Sequence, residues 1–312
     1  MLRLGASLIL AGALSACATS GPHGPDALPG GLPAGLPREA RVADVPFYPQ
    51  EDLYCGPASL AMVLTWSGAP AAQETIAAAI YTPGREGTLQ HDLLAGARRE
   101  GRLAVPVRGL EGLLGELAAG HPVLVLQNLG LDWAQQWHYA VAIGYDLDEH
   151  EIVLHSGLEP ERAMSLSTFE RTWARAERWG IVVLPPGTLP ATAGEAEVLE
   201  AAVGVERAGR PVEAAQAYAA ILDRWPSSLA ALMGLGNARY AAGQIMGAES
   251  AFRTAASLHP DSAPAWNNLA HVLADQGELA EALQAAKRAV DLGGPQDAAY
   301  RETLREIEQR AI

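Results

Sequence analysis

Between residues 42 and 184 the hydrophobic positions first follow a helical period and then a strand period. Four segments place apolar residues every three to four positions, which predicts helices; they read GPASLAMVLTWSG, QETIAAAIY, TLQHDLLAGARREG and LEGLLGELAAG. Short apolar runs bounded by turn residues follow, which predicts strands; they read PVLVLQN, WHYAVAIGYD, EIVLHSG and RWGIVVLPP. Helices followed by an antiparallel run of strands are typical of an α+β domain.

Beyond a Pro- and Gly-rich linker at residues 185–195, the pattern repeats every 34 residues. One register of glycines and one of alanines recur at this spacing: Gly209, Gly243, Gly277, Ala214, Ala248 and Ala282. A period of this length, with glycine at the turn and proline at the end, is the tetratricopeptide repeat (TPR) pattern. It predicts an all-α solenoid of about three repeats over residues 196–294. Residues 295–312 are predicted to form the capping helix.

The N-terminus carries a third pattern, in which one basic residue precedes an apolar run and small residues lead to Cys17. Residues 1–16 therefore read as a secretory signal peptide. The ending LSAC resembles the bacterial lipobox, which implies that Cys17 is lipidated and anchors the chain to the membrane. Residues 17–41 are rich in glycine and proline, which is typical of a flexible tether. With Ala18 after the cysteine, the resemblance implies a periplasm-facing protein of the bacterial cell envelope, in the outer membrane.

Composition and charge exclude some classes of function. The formal net charge of the 312 residues is −14, which argues against nucleic acid as a partner because a phosphate-tracking surface needs clustered Lys and Arg. The scattered histidines lack ligand spacing, and no phosphate-binding glycine loop is present, so we expect no metal and no cofactor. The chain has two cysteines. If Cys17 carries lipid, Cys55 has no disulfide partner.

The surroundings of Cys55 fit a nucleophile. Cys55-Gly56-Pro57 opens a helix, whose dipole favours a thiolate at this end. Gly56 would let a substrate backbone approach and would leave backbone N–H groups free for an oxyanion. Gln50 lies five residues upstream and would add a side-chain N–H₂ to that oxyanion hole. A buried core cysteine is the alternative interpretation.

A general base is expected on the strand WHYAVAIGYD. Strand alternation places His138, Ala140, Ala142 and Gly144 on one face, and Tyr139, Val141, Ile143 and Tyr145 on the other. The small residues beside His138 would leave room for its imidazole to meet a thiolate.

The segments VPFYPQEDLYCGPASLAMVL and WHYAVAIGYD resemble the C39-like group of papain-like cysteine peptidases, over about Asp44 to Val183. The resemblance implies a papain-like fold for residues 42–184, with Cys55 as nucleophile, His138 as base and Gln50 in the oxyanion hole. The family usually ends the next strand with an Asp-Pro whose carboxylate orients the histidine. Here EIVLHSG offers His155 and Ser156 instead. A neutral group stabilises an imidazolium less than a carboxylate does.

The sequence therefore predicts a lipid-anchored cysteine peptidase of the envelope. Its substrate would be a peptide or protein, and the TPR groove would bind a protein partner or the substrate itself. Two alternatives stay open: a catalytically degenerate peptidase fold that serves as a binding scaffold, and a Cys-dependent acyltransferase or amidase.

Overall fold

The computed structural model describes residues 35–49, 54–82, 87–131 and 133–311. The signal peptide, Cys17, most of the tether and Gln50 lie outside these ranges. The described strands are β1 (Glu39–Arg41), β2 (Tyr81–Thr82), β3 (Gly87–Thr88), β4 (Leu103–Pro106), β5 (Val123–Asn128), β6 (Trp137–Asp146), β7 (Glu151–Ser156), β8 (Glu159–Ser165) and β9 (Gly180–Leu184).

The helices in the same ranges are α1 (Cys55–Trp66), α2 (Gln73–Ile80), α3 (Gln90–Arg99), α4 (Gly109–Ala118), α5 (Leu166–Ala174), α6 (Glu195–Arg207), α7 (Pro211–Arg224), α8 (Leu229–Ala241), α9 (Ile245–Leu258), α10 (Ala263–Asp275), α11 (Leu279–Leu292) and α12 (Asp297–Arg310). None of these described helices is both long enough and apolar enough to span a bilayer.

A seven-stranded antiparallel sheet forms the centre of the N-terminal half. Its strand order is β4-β9-β5-β6-β7-β8, and β1 pairs with the second half of β6, beyond the start of β5. The strands β2 and β3 form a separate two-stranded ribbon. Because β6 runs antiparallel to β5 and β7, the start of β6 lies at the same edge of the sheet as the ends of β5 and β7.

Helices cover both faces of this sheet. On one face α1, α2 and α3 pack on inward-pointing residues such as Leu124, Tyr139 and Val141. On the other face α4 and α5 pack on Val123, Ala140 and their neighbours. The eight segments expected from the hydrophobic pattern all form the predicted elements, and the α+β prediction is confirmed.

The strand alternation predicted for β6 holds only in its first half. Ala140 and Ala142 face one apolar cluster, whereas Val141 and Ile143 face the other. Between Ala142 and Gly144 a bulge shifts the pairing with β7. Since a bulge inserts one extra residue, Tyr145 returns to the face of Ala142 and not, as predicted, to that of Tyr139.

The C-terminal half is a row of helices in which each of α6 to α11 packs against the next and α12 closes the end. Gly209, Gly243 and Gly277 have φ angles of 76°, 73° and 81°, so a glycine is required at the repeating turn. Each follows the first helix of a pair. The 34-residue period thus corresponds to one helix pair, and the prediction of a TPR solenoid is confirmed.

The two halves share one core. Helix α6 packs on β4 and α3, and its buried Val198, Ala202 and Val205 belong to the same apolar cluster as β4, β5 and α5. The preceding segment, predicted as a linker, is held by the buried carboxylate of Glu116, which accepts N–H groups from Ala191 and Thr192 at 3.1 and 2.7 Å. This junction is therefore packed and hydrogen-bonded.

Candidate active site

Cys55 is the first residue of α1 and lies where that helix meets the start of β6. It is a free, half-buried thiol. The backbone N–H groups of Tyr139, Gly56 and Cys55 itself lie near enough to the sulfur to lower the pKa of the thiol. Tyr139 and Cys55 thus pack in the same apolar cluster on one face of β6, and strand alternation starts the side chain of His138, the residue before Tyr139, from the opposite face.

Two effects oppose each other at the thiol. Burial raises the pKa of Cys55, and the three N–H groups lower it by less, so that the pKa stays above its ordinary value. The sequence-based expectation that the helix start would favour a thiolate is therefore not met in the free protein. Cys55 is a protonated thiol at neutral pH.

Gly56 has a packing role that the sequence did not indicate. A Cβ at this position would lie 2.7 Å from Cβ of Thr88 on the neighbouring β3 strand. The absence of a side chain at Gly56 is thus needed for the packing of Thr88. The buried Oγ1 of Thr88 has no hydrogen-bond partner within the described ranges.

His138 is the second residue of β6, and its Nε2 lies 2.9 Å from Oγ of Ser156 at the end of β7. The two side chains meet because the start of β6 and the end of β7 share one edge of the sheet. Burial, and then the positive charge of Arg162, hold the pKa of His138 below its ordinary value. Its imidazole is therefore neutral at neutral pH and able to accept a proton.

Of the two residues predicted to orient His138, only Ser156 contacts it. His155 lies on the other face of β7, where its Nε2–H donates to the carbonyl of Val45 at 3.1 Å and its Nδ1 accepts the N–H of Glu161 at 3.1 Å. Its ring packs 5.4 Å from that of Phe47. Every polar atom of this imidazole is thus used in local structure.

Carboxylates do not replace Ser156. Asp146, in the turn after β6, accepts the N–H groups of Asp148 and Glu149, and Asp148 pairs with Arg38 at the surface. Nor do the described residues include a group of three or more His, Cys, Asp or Glu side chains placed to hold a metal ion.

Arg162 is the residue near His138 that the sequence did not indicate. It lies on β8, opposite Leu154 of β7. The sequence EPERAMS of β8 is largely exposed and lacks an apolar alternation, so the hydrophobic pattern does not predict a strand there. Since β8 is not predicted, the sequence also does not predict that Arg162 lies near the imidazole of His138.

Each half of the chain matches a different known family. Residues 42–181 match the model described as the Peptidase_C39 like family, and residues 199–245 and 233–298 match the tetratricopeptide repeat model. No curated protein sequence matches the chain significantly.

Several solved structures are similar to parts of the chain. A Bacillus anthracis protein described as a C39-like peptidase is 21% identical with a TM-score of 0.41, and the alignment covers 47% of this chain and 97% of that one. The Yersinia enterocolitica type III secretion chaperone SycD, in complex with a peptide of the translocator YopD, is 21% identical with a TM-score of 0.36 over 38% of this chain and 94% of its own. The Sgt2 TPR domain of Aspergillus fumigatus is 17% identical with a TM-score of 0.35 over 38% of this chain and 78% of its own.

The two family matches together cover most of the described residues and meet near the packed junction between the halves. They confirm the resemblance inferred from the cysteine and histidine segments and from the 34-residue period. Residues 42–181 therefore form a domain that matches the C39-like peptidase family, and residues 199–298 form a domain that matches the tetratricopeptide repeat.

Proposed function

We propose that the protein is a cysteine peptidase in which Cys55 attacks a peptide carbonyl and His138 transfers the protons. One observation carries this proposal: Tyr139 packs in one apolar cluster with Cys55, while its chain neighbour His138 is held by Ser156 at 2.9 Å. A nucleophile, a base and a group that positions the base are the elements of such a site.

The chemistry starts from a neutral pair. Since burial raises the pKa of the thiol and lowers that of the imidazole, His138 removes the thiol proton as the sulfur attacks. Ser156 binds Nε2, which leaves Nδ1 as the proton acceptor. The imidazolium then protonates the leaving amine, a thioester forms on Cys55, and water activated by His138 hydrolyses it. Backbone N–H groups beside Cys55, with the side chain of Gln50, would bind the oxyanion.

A comparison of hydrolysis rates tests the proposal. We expect the purified protein to cleave members of an internally quenched random peptide pool, and both Cys55→Ala and His138→Ala to abolish the cleavage. Exposed Met246, on α9, provides the control, and Met246→Ser should leave the rate unchanged. Peptide binding without cleavage by the wild type would instead favour a degenerate peptidase fold that acts as a binding scaffold. The neutral Ser156 in place of a carboxylate favours that second candidate.

We further propose that Cys17 carries a lipid that holds the protein on the periplasmic side of the outer membrane, and that the repeats bind a protein partner or the substrate. The lipobox-like LSAC and the tether that follows support the anchor. Cys17→Ser is expected to move the protein from the membrane to the soluble fraction of fractionated cells. A variant that stays with the membrane would refute the anchor.

A further inference from the structure

Exposed large apolar side chains of the sheet domain are concentrated around the candidate active site. Among the described residues of this domain, six such side chains are exposed, and we call them the apolar rim: Tyr54, Leu129, Leu131, Trp133, Trp137 and Leu158. Tyr54 directly precedes Cys55, Trp137 directly precedes His138, and Leu158 follows Ser156 by two residues. Cys55 and His138 thus each directly follow an exposed apolar residue, and Ser156 lies two residues before one.

The topology brings the rim to one edge of the sheet. Leu129, Leu131 and Trp133 belong to the hairpin that joins the end of β5 to the start of β6. Leu158 lies in the turn between β7 and β8. The ends of β5 and β7 and the start of β6 lie at this edge, and Cys55 at the start of α1 packs beside Tyr139 of β6, so the rim and the thiol share one edge of the sheet.

The hairpin that carries half of the rim is firmly held. The buried side-chain oxygen of Asn128 accepts the N–H groups of Gly130 and Gln136 at 3.1 and 3.0 Å. Across the hairpin, Leu131 and Ala134 exchange two backbone hydrogen bonds. From α5, Arg175 donates to the carbonyl of Gly130 at 2.6 Å.

These bonds keep Trp133 in water with 84% of its surface exposed. An exposed tryptophan on a well-held hairpin is typical of binding surfaces, because its side chain has only two rotatable angles and loses little entropy when it is covered. Leu158 on the opposite side is 71% exposed.

We propose that the apolar rim binds large apolar side chains of an extended peptide on either side of the bond that Cys55 attacks. This inference rests on the proposed function and names its substrate class. A membrane surface is the other occupant that an apolar patch fits. A bilayer seated on the rim would cover this edge of the sheet, where the thiol lies, whereas an extended peptide on the rim can present a carbonyl to the sulfur.

A binding experiment that needs no catalysis tests the rim. The full chain carrying Cys17→Ser and Cys55→Ala is titrated with two fluorescein-labelled peptide pools, one with Leu, Phe and Val at its variable positions and one with Ser, Asn and Gln. We expect the apolar pool to bind about tenfold tighter or more, from the burial of one or two apolar side chains. Adding Trp133→Ser or Leu158→Ser should lower this preference severalfold.

Met246→Ser is the matched control, because Met246 is 70% exposed but lies on α9, away from this edge. Equal binding of the two pools, or binding of neither, overturns the proposal. So does a loss of binding to phosphatidylethanolamine–phosphatidylglycerol vesicles in the rim variants with peptide binding unchanged, which would identify a membrane-contact surface. Because the chain used here cannot cleave, these outcomes are independent of whether the wild type is a peptidase.

Discussion

Cys55 and His138 are both half-buried, and burial favours the neutral form of each group. It raises the pKa of the thiol and lowers the pKa of the imidazole. The backbone N–H groups at the sulfur reduce the rise but do not cancel it. In the proposed mechanism the two groups therefore form a general-base pair that ionises only when substrate arrives. Ser156, which can both donate and accept a hydrogen bond, suits a neutral histidine.

Alkylation by iodoacetamide reports the state of Cys55, because the thiolate is the reactive form. In the Cys17→Ser chain we expect the rate of Cys55 alkylation to keep rising with pH beyond about 8.5, the ordinary cysteine pKa, since a raised pKa moves thiolate formation upward. His138→Ala should change the profile little. A rate that reaches its plateau near neutral pH and falls in His138→Ala would instead indicate a thiolate–imidazolium pair.

Ser156 is expected to position His138 without supplying charge. Ser156→Ala removes one hydrogen bond and should lower peptide hydrolysis by about tenfold, the equivalent of a typical single hydrogen bond. Ser156→Asp introduces the carboxylate that the family usually carries, so it should raise the pKa of His138 and speed hydrolysis. NMR titration of the His138 ring measures the first effect and peptide cleavage the second. Identical titration curves of His138 in the wild type and both variants would show that Ser156 does not position His138.

At the scale of elements, β6 does most of the positioning, since its first half meets α1, β5 and β7 at the site edge. The hydrophobic pattern predicts β6 and α1 because both are apolar and periodic. It does not predict β8, whose charged sequence forms an edge strand only because β7 offers free backbone groups. The bulge at Gly144 also follows from tertiary contact: a Cβ there would lie 2.6 Å from the carbonyl of Ala40 in β1.

Helix α1 and strand β3 pack so closely at Gly56 that adding one methyl group there should lower the stability of the protein. Gly56→Ala places a Cβ 2.7 Å from Cβ of Thr88 and should destabilise the protein by about 1–3 kcal/mol, the usual range for overpacking. Urea unfolding measures this loss. Gly187→Ala is the control, because nothing lies within 4 Å of its added Cβ. Equal stability of the two variants would show that α1 moves aside freely.

At the scale of the whole molecule, the two domains form one packed body and not two units on a flexible linker. The sequence separates them because composition changes sharply at residue 185. What it cannot indicate is that α6 turns its apolar face to β4, or that Glu116 on α4 reaches the junction segment, because both depend on contacts between distant parts of the chain. The repeats are therefore fixed relative to the candidate active site.

Glu116 is the polar centre of this junction, and its effect on stability should depend on pH. Burial alone would raise its pKa, but hydrogen bonds from His121, Thr192 and Ala191 outweigh burial and leave the pKa below its ordinary value. Its contribution is thus present above about pH 4.3 and is lost as the pH falls through the lowered pKa.

Glu116→Gln should cost about 1–3 kcal/mol at pH 7, because the buried N–H donors lose charged acceptors. The difference from wild type in urea unfolding should shrink toward pH 3. Glu111→Gln, at an exposed site on the same helix, should show neither effect. A pH-independent difference would contradict the ionised state of Glu116.

The most direct test of the central claim is the site of covalent modification by a peptide vinyl sulfone, a reagent that needs both a nucleophilic thiol and a proton donor. Intact-mass and peptide-mapping spectrometry of the Cys17→Ser chain should find one adduct, on Cys55, formed at least about tenfold faster than in His138→Ala, the range expected for a general acid–base residue. An adduct that forms equally fast in His138→Ala would contradict a Cys55–His138 catalytic pair and leave a peptidase fold without its activity.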